Sequence, residues 1–503
     1  MVKRLILIFV ALFAIVQFSR ASHLMGGEIT WECAPSGQFI FYMKLYRDCN
    51  SASTNGLGAF NSIDVWNHPT MSNITVNLQA VNDISPACGG AGPNISCSNP
   101  NPGTGATEEY IFISDPVTLS GIPPAQGWAF TWTSCCRNTA IDNLQNPGAS
   151  GMTVRAIMYP FSGQNMFPCF DSSPDFSEIP AAVVCAGGNF TYNHNASDRD
   201  LDSIAYKWAE PLDNLTIWNP PAQPASVTFQ SPYTLTSPLP GSPTLDVSTG
   251  EVDFNANIQG EFVTVIKVES WKCGQLISEV FREIQLIVTN CPANDPPDVS
   301  ILDMSGNPIS YFDTVQVGDI VQFQLQGVDV GQDVTLSSSS TQYGTNFANP
   351  NSGCINPPCA VLAPPPVTGS ITQSDSLTVM FNWETDCNHI SYSDVCATAS
   401  NTYTFVFNIQ DDNCPAAGKS VVTVAITVLA APTIDPPDLH CAAVNPVNGD
   451  VTLNWDIPLD TAITFNSYHV YYATAPSGPY TIVDSIFNYN QTNYTHVGAN
   501  ADQ

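Results

Sequence analysis

The hydrophobic positions along most of the chain repeat every second residue or form short β-branched runs. Clear examples are residues 39–46, 261–268 and 420–428. Segments rich in Asn, Gly, Pro and Ser, such as residues 98–105 and 349–353, separate these runs. Successive side chains of a strand point to opposite faces, so the pattern predicts short strands joined by frequent turns. The sequence therefore predicts an all-β protein built from tandem Ig-like or cadherin-like β-sandwich domains.

Two proline-rich joints divide the chain, at residues 294–297 and 434–437, and each follows a strong β run. Consecutive prolines end a strand and form a stiff spacer. A softer boundary falls near residues 170–179. The expected parts are a signal peptide (1–21), an N-terminal β domain (22–178), an Ig- or cadherin-like sandwich (179–294), a second Ig-like sandwich (295–435) and a final domain (436–503).

The final part resembles the beginning of a fibronectin type III domain. The resemblance lies in residues 451–455 and 467–472, and it implies that Trp455 is on the second strand and that Tyr468 and Tyr471 are on the third. Such a domain needs about 90–100 residues for its seven strands. Only 68 residues follow the joint. We therefore expect this domain to lack its last two strands and the chain to be part of a longer protein.

The first 21 residues have the composition of an export signal. Lys3 and Arg4 precede an apolar stretch at residues 5–16, and residues 19–21 form a small-x-small cleavage pattern. An apolar stretch of about twelve residues is too short for a permanent membrane helix, which needs about twenty. We therefore expect a secreted or cell-surface protein with no membrane insertion after the signal is removed.

Charge excludes some classes of partner. The chain has 44 acidic and 13 basic residues and a net charge of −31, or −34 without Lys3, Arg4 and Arg20 of the signal. Binding to nucleic acid through a basic surface needs many cations, so nucleic acid is excluded as a partner of that kind. The same charge disfavours docking on anionic lipid.

The 16 cysteines indicate disulfides, because an exported β protein folds in an oxidising compartment. Zinc knuckles are not predicted, since no paired Cys-x2-Cys pattern occurs. Cys135 and Cys136 are adjacent, and neighbours on a strand point to opposite faces. We therefore expect them to form two separate disulfides and not a vicinal redox pair.

Two further disulfides can be predicted from the sandwich at residues 179–294. In an Ig-like sandwich the first strand runs parallel to the last, and Cys185 and Cys291 would lie at the ends of those two strands. Cys273 would lie in the turn that opens the last strand, close to the point where the chain enters the domain after Cys169. The predicted disulfides are therefore Cys185–Cys291 and Cys169–Cys273.

An Asp-x-Asp-x-Asp segment in the sandwich at residues 179–294 predicts a cation site. In an extended chain Asp198, Asp200 and Asp202 would project from one side. Three carboxylates repel one another unless a cation or water separates them, and Ca²⁺ accepts oxygen ligands in flexible geometry. The alternative is a solvated acidic turn capped by its own backbone. The sequence leaves both interpretations open.

The same segment resembles the calcium-binding segment of cadherin-like and related Ig-like repeats. Residues 245–250, which contain Asp246, resemble the Asp-x-x-Thr-Gly stretch of those domains, and Asn294 and Asp295 resemble their inter-domain linker. The pattern is not an EF-hand, because the required Gly and Glu positions are absent. The candidate Ca²⁺ ligands are Asp198, Asp200, Asp202, Asp246, Asn294 and Asp295.

A wider resemblance covers residues 22 to about 430. Residues 22–31, 45–49 and 130–138, the last including Cys135-Cys136-Arg137-Asn138, carry its most specific motifs. With the Asp-rich repeat, they resemble the large gliding-motility-associated, type IX-secreted surface proteins of Bacteroidota. The resemblance implies export through the Sec pathway, passage across the outer membrane and display or release at the cell surface. It implies no catalytic residue.

The expected function is an adhesion or structural scaffold associated with gliding motility or surface attachment. Its partners would be cell-surface or extracellular ligands. We do not expect an enzyme, because the sequence contains no His-Glu-x-x-His, Gly-x-Ser-x-Gly or phosphate-binding glycine loop. One alternative is a polysaccharide-binding array, with Trp66, Trp218 or Trp271 stacking on sugars. Another is an accessory region of a larger secreted hydrolase. Arg47 and Arg137 are expected to anchor buried carboxylates.

Overall fold

The structure is a computed structural model, and its described part is all-β. It describes residues 24–49, 57–86, 95–99, 105–162, 164, 169–180, 183–214, 218, 222–310, 312–367, 369–390, 400–431, 434–460 and 465–501. The helices in these residues are single 3-10 turns at Pro147–Ala149, Thr345–Phe347 and Cys387–His389. The predicted fold class is therefore confirmed. The expected signal peptide, residues 1–21, lies outside the described residues.

The chain forms two compact units, one ending at Leu429 and the other beginning at Ala430. The expected boundaries near residues 178 and 294 fall within the first unit, and the expected boundary at residue 435 lies close to the start of the second. These three boundaries stay predictions. None of the helices in the described part of the chain has the length and apolar composition needed to cross a membrane.

Sixteen strands make up the first part of the larger unit. They are β1 (Leu24–Cys33), β2 (Phe39–Asp48), β3 (Phe60–Trp66), β4 (Asn73–Asp83), β5 (Thr107–Ser114), β6 (Trp128–Ser134), β7 (Met152–Met158), β8 (Asp175–Phe176), β9 (Val183–Cys185), β10 (Asn189–Asn193), β11 (Ala196–Ser197), β12 (Ser203–Trp208), β13 (Thr244–Leu245), β14 (Glu251–Asn255), β15 (Gly260–Lys272) and β16 (Gln275–Thr289).

The large first sheet has the order β1-β2-β5-β4-β3-β6-β7-β16-β15-β12, with β9 beside β16. Because β1 pairs with β16 as well as with β2, the strands from β1 to β16 in this order form a closed ring. A core that includes Trp31, Phe41 and Phe130 fills it. Strand β16 therefore completes the N-terminal ring and also belongs to the next sandwich.

In the sandwich predicted at residues 179–294, the sheet of β12, β15, β16 and β9 packs against the sheet β10-β14-β13. As predicted, its first strand is parallel to its last: β9 pairs with β16, with Cys185 opposite Thr289. The predicted Cys185–Cys291 disulfide is confirmed, with a Cα–Cα distance of 5.4 Å.

Two other cysteine predictions were wrong. Cys169 is bonded to Cys33, not to Cys273, because the chain after β7 returns along β1, where the Ser173 amide donates to the Trp31 carbonyl. Cys273 forms a different disulfide.

Cys135 and Cys136 are bonded to each other, not to two separate partners. They lie beyond the end of β6 at Ser134. The alternation of side chains along a strand therefore does not apply to them.

The rest of the larger unit corresponds to the part expected at residues 295–435 and contains one seven-stranded sheet in the described residues. Its strands are β17 (Asp298–Leu302), β18 (Phe312–Gln316), β19 (Ile320–Ser339), β20 (Val361–Ala363), β21 (Ser370–Glu384), β22 (Ser400–Gln410) and β23 (Lys419–Leu429). Their order is β18-β23-β22-β19-β21-β20, with β17 beside β19, and β18 is parallel to β23. Large aromatic side chains, among them Phe381, Trp383 and Phe405, fill the core.

The smaller unit contains β24 (Leu439–Val444), β25 (Val451–Trp455), β26 (Tyr468–Tyr472), β27 (Thr481–Ile486) and β28 (Asn493–His496). Trp455 lies on the second of these strands and Tyr468 and Tyr471 on the third, as the sequence predicts. The rings of Trp455 and Tyr468 are 5.3 Å apart in a small core. Tyr471 is exposed.

Candidate functional site: an acidic turn and the cleft beside it

The Asp-x-Asp-x-Asp segment is a turn between β11 and β12, not an extended strand. One carboxylate oxygen of Asp198 accepts hydrogen bonds from the amides of Asp200 (2.9 Å) and Asp202 (3.2 Å). Leu201, at φ 60°, tightens the turn. The three carboxylates therefore do not project from one side, because the first of them caps the backbone of the other two.

Each carboxylate of the turn contacts a different neighbouring segment. The second oxygen of Asp198 accepts from the Ser270 hydroxyl on β15 at 2.9 Å. Asp200 accepts from the amide of Ser172 at 2.7 Å. Both oxygens of Asp202 accept from the ammonium of Lys272, at 2.6 and 2.8 Å. The turn thus ties β15 to the segment that returns along β1.

A fourth carboxylate, Asp171, completes this acidic cluster, and sequence reasoning missed it. Asp171 is 5 % exposed and lies 3.4 Å from the ammonium of Lys272. Lys272 therefore occupies the position between Asp171 and Asp202 where the sequence predicts a cation. No local motif marks Asp171, because 26 residues separate it from the nearest aspartate of the turn.

The pKa values of Asp171, Asp198 and Asp202 are all raised. Burial, reinforced by repulsion from Asp202 and Asp200, raises the pKa of Asp198 to about 8. Burial and the neighbouring Asp198 raise the pKa of Asp171 well above its ordinary value. Burial also raises the pKa of Asp202, although Lys272 opposes that effect. Four carboxylates lie in this cluster and only two of them, Asp171 and Asp202, pair with its ammonium, so the site favours added positive charge, either protons or a cation.

The other predicted Ca²⁺ ligands lie in two further places. The carboxylate of Asp246 caps the turn between β13 and β14, accepting from the amides of Ser248 and Thr249, both at 2.8 Å. Asn294 donates to Asp411 and accepts from Gln332 at 2.7 Å.

Asp295 lies in a second acidic group near the joint after β16. Burial, together with repulsion from surrounding aspartates that include Asp411 and Asp295, raises the pKa of Asp329 in this group. Within the described residues, one set of three His, Cys, Asp or Glu side chains has its ligand atoms within 4.8 Å of one another, namely Cys49, Cys97 and Glu108. Its two cysteines form a disulfide. The predicted ligands are therefore not gathered into one cage, and Ca²⁺ binding stays a prediction.

A cleft opens beside the acidic turn. One cavity, of about 290 Å³, is lined by Asp198 and Asp202, by Trp271 at the end of β15 and by residues 400–404. A neighbouring cavity of about 260 Å³ contains the side chains of Trp31, Glu32, Tyr42, Lys44 and Arg199. Ser197, Thr341 and Ile355 line both cavities.

The three candidate sugar-stacking tryptophans differ in their surroundings. Trp271 is half-buried and lines the larger cavity, next to hydroxyl and amide side chains. Trp218 is 8 % exposed and packs in a core. Trp66 donates its indole N–H to Thr131 at 2.8 Å. Of the three, Trp271 therefore has the setting that recognition of a sugar ring requires, an aromatic face beside hydrogen-bonding groups.

The most specific motif residues hold β1 against β16. A side chain at Gly26 would place its Cβ 1.9 Å from the carbonyl oxygen of Glu283, so the two backbones can approach only at a glycine. Glu28 and Arg282, each 1 % exposed, form a buried ion pair.

Arg137 of the Cys-Cys-Arg-Asn motif pairs with Glu283, both buried. The prediction that Arg137 anchors a buried carboxylate is confirmed. Gly26, Glu28 and Arg137 therefore lie at the ring closure and line neither cavity of the cleft.

No protein-family model matches the chain, and no curated protein matches it. Several solved structures are similar at low identity. The EC1–3 domains of Drosophila N-cadherin are 14 % identical over 64 % of this chain and 83 % of theirs, with a TM-score of 0.17. Cadherin-like domains 1 to 4 of zebrafish RET are 10 % identical over 81 % and 89 %, with a TM-score of 0.14. The FN1–FN3 domains of chicken CNTN1 are 8 % identical over 65 % and 87 %, with a TM-score of 0.13. The fold class rests on this chain's own strand pairings.

Proposed function

We propose that this protein is an exported scaffold of β-sandwich domains that serves adhesion or surface attachment. The observation that carries the proposal is the shared strand β16, which pairs with β1 and β7 of the ring and with β9 and β15 of the sandwich. A load applied to one part passes to the other through backbone hydrogen bonds. Disulfides such as Cys33–Cys169, which joins residues 136 apart, support an oxidising extracellular location.

The route to the surface is proposed from the sequence motifs. Residues 22–31 and 130–138 resemble type IX-secreted gliding proteins, and the proposed destination is the outer face of the outer membrane or the medium. The proposed cellular role is attachment during gliding.

Cell fractionation and a gene deletion test this proposal. We expect the protein to be digested when intact cells are treated with protease, and the deletion strain to attach or spread less until the gene is restored. A protein protected from protease in intact cells, with its cysteines reduced, would contradict the proposal. Normal attachment and spreading by the deletion strain would contradict the proposed role but not the proposed surface location.

We also propose that Ca²⁺ competes with Lys272 for the acidic turn. In the structure the carboxylate of Asp202 is paired with Lys272. The carboxylate of Asp198 accepts hydrogen bonds from a turn amide and from Ser270. The ion would therefore have to displace the ammonium. The excess of carboxylates over ammonium supports binding, since Ca²⁺ prefers oxygen ligands.

Calcium binding is tested by the melting temperature of the full chain with Ca²⁺ and with chelator. We expect chelator to lower it, Asp200→Asn to abolish the difference and Lys272→Gln to enlarge it. Asp313→Asn, at an exposed aspartate away from the turn, is the matched control. A melting temperature of the unaltered chain that does not respond to chelator would refute the proposal.

Polysaccharide binding in the cleft is a second candidate function. The half-buried Trp271, which lines the larger cavity of the cleft beside hydrogen-bonding side chains, favours it. A glycan array probed with the full chain should show binding that Trp271→Ala abolishes. Trp66→Ala, which alters an aromatic residue that lines neither cavity, should retain it. Absence of binding to any glycan, or equal loss in both variants, would count against the cleft as the binding site.

A further inference from the structure

Lys419, the first residue of β23, differs from most cations of the protein. Among the described lysines and arginines, all except Arg155 and Lys419 have a carboxylate oxygen within 4.0 Å. Arg155 instead stacks over the ring of Phe281 at 3.9 Å. Lys419 has neither kind of partner among the described residues, although the chain carries a net charge of −31.

Lys419 lines a cavity of about 350 Å³ between the sandwich that contains β9–β16 and the sheet of β17–β23. One wall carries polar groups from β19 and β22, including Ser339 and Asn408. The opposite wall is largely apolar and includes Ile179, Pro180 and Phe190. Lys419 is half-buried there, and no carboxylate oxygen of the described residues lies within 4.0 Å to replace the water that it loses. Burial therefore lowers the pKa of Lys419, and Glu178 only partly opposes this.

Glu178 is held beside Asn408 in the same cavity. One carboxylate oxygen of Glu178 accepts from the side-chain amide of Asn408 at 2.9 Å and from the hydroxyl of Ser339 at 2.5 Å. The backbone carbonyl of Glu178 accepts from Arg282 at 2.8 Å. Asn408 is 5 % exposed. Both partners are thus fixed in position, with the carboxylate directed at the carboxamide.

Strand register brings Lys419 to the same carboxamide. Gln410 is directly opposite Lys419, and Asn408 lies two residues along β22, so Asn408 and Lys419 share a face of the sheet. Diagonal neighbours of this kind are about 7–8 Å apart at the backbone, within reach of a long side chain. An amine with a lowered pKa, a carboxamide and a carboxylate bonded to that carboxamide therefore meet in one cavity.

We propose that Lys419 and Asn408 join in an intramolecular amide bond, assisted by Glu178. The ammonium of Lys419 first loses a proton to water, and the amine then turns towards Asn408 and attacks its side-chain carbonyl carbon, forming the new C–N bond. The bond from that carbon to Nδ2 breaks, and the nitrogen leaves as ammonia. Glu178 accepts a proton from the attacking nitrogen and returns it to the leaving nitrogen, so it ends unchanged. No oxidant, reductant or cofactor is required.

Mass spectrometry of the purified, reduced chain tests the bond. We expect the intact mass to be lower than the mass of the sequence by one ammonia molecule. Lys419 is the last basic residue of the sequence, so trypsin normally releases residues 420–503 by cutting after it. A lysine in an amide bond resists trypsin, and that fragment should be missing. An unaltered mass with complete cleavage after Lys419 would overturn the proposal. Loss of ammonia with complete cleavage there would also overturn it, because an asparagine succinimide elsewhere gives that result.

Variants identify the groups that react. Lys419→Arg and Asn408→Ala should each abolish the mass loss, and Glu178→Gln should slow it. Asn408→Asp should change the loss from one ammonia to one water molecule, since a carboxylic acid releases water on forming the same bond. Lys207→Arg, at an exposed lysine paired with Glu269, is the matched control and should leave the loss unaltered.

Discussion

Two groups of buried charges lie in the larger unit, and they differ in charge balance. At the ring closure, Glu28 faces Arg282 and Glu283 faces Arg137, so each carboxylate has a guanidinium. In the acidic cluster, Asp171 and Asp202 share Lys272, while Asp198 and Asp200 accept hydrogen bonds from uncharged groups. The first group is complete without any added ion. The second favours a proton or a cation, and this difference separates a structural tie from a candidate regulatory or binding site.

The pKa shifts of Glu28, in the first group, and of Asp198, in the second, have opposite signs. Burial raises the pKa of Glu28, but attraction to Arg282 and Lys44 outweighs it, and the result is a lowered pKa. Burial and like charges raise the pKa of Asp198 to about 8. Near neutral pH, Glu28 is therefore a stabilising charge and Asp198 is a group that prefers to keep its proton.

Breaking the Glu28–Arg282 pair should give the largest effect. Glu28→Gln leaves the guanidinium of Arg282 buried without its charge partner, and loss of one member of a buried pair costs about 3–5 kcal/mol. Urea unfolding of the full chain measures the change. The double variant Glu28→Gln/Arg282→Met should recover much of the loss, because it also removes the unpaired guanidinium. Lys44, which lies 3.3 Å from Glu28, keeps Asp175 at 4.0 Å. A loss below about 1 kcal/mol in the single variant would show that the pair does not stabilise the ring closure.

Disrupting the close approach of β1 to β16 should give the second-largest loss of stability. Gly26→Ala places a Cβ 1.9 Å from the Glu283 carbonyl oxygen, so one backbone must move. Overpacking of this kind costs about 1–3 kcal/mol, again measured by urea unfolding. Gly188→Ala is the matched control, because its Cβ would meet nothing within 4 Å. Equal effects at the two glycines would contradict close packing at Gly26.

The stability contribution of Asp198 should decrease as pH rises. A raised pKa in the folded state means that Asp198 stabilises the fold below its ordinary pKa of 3.8, and that this contribution is lost as pH rises towards about 8. The slope reaches at most about 1.4 kcal/mol per pH unit for one proton. The unfolding free energy of the unaltered chain should therefore fall relative to that of Asp198→Asn between pH 4 and 8, with chelator present. A difference that stays constant over this range would show that the raised pKa is wrong.

Glu28 should show the opposite dependence. Its lowered pKa means that its contribution is present above 4.5 and lost as pH falls below that value. The unfolding free energies of Glu28→Gln and of the unaltered chain, measured with urea between pH 3 and 6, should converge at the acid end.

The sequence predicted local features well and long-range ones poorly. The strands and the Cys185–Cys291 disulfide follow from alternation and from the parallel first and last strands of a sandwich, both of which are local or repeat in every such domain. The pairing of β1 with β16 joins Gly26 to Ile284, and no local pattern encodes that contact. The Cys33–Cys169 disulfide was missed for the same reason.

The acidic cluster shows the same limit at the level of the site. The three aspartates of the turn were visible because they alternate in sequence. Asp171 and Lys272 come from separate segments, and they change the interpretation, because an ammonium already occupies the place expected for a cation.

Arg199 links the two regions and should have the smallest effect. It lies within the acidic turn, and its guanidinium is 3.4 Å from Glu32 of β1, with half of the Arg199 side chain exposed. Solvent and salt screen such a pair, which contributes about 0–1 kcal/mol. Arg199→Gln should therefore change the urea midpoint little, and raising the salt concentration should remove even that difference. A loss as large as that of Glu28→Gln would mean that the turn, and not the buried pair on β16, holds β1 in place.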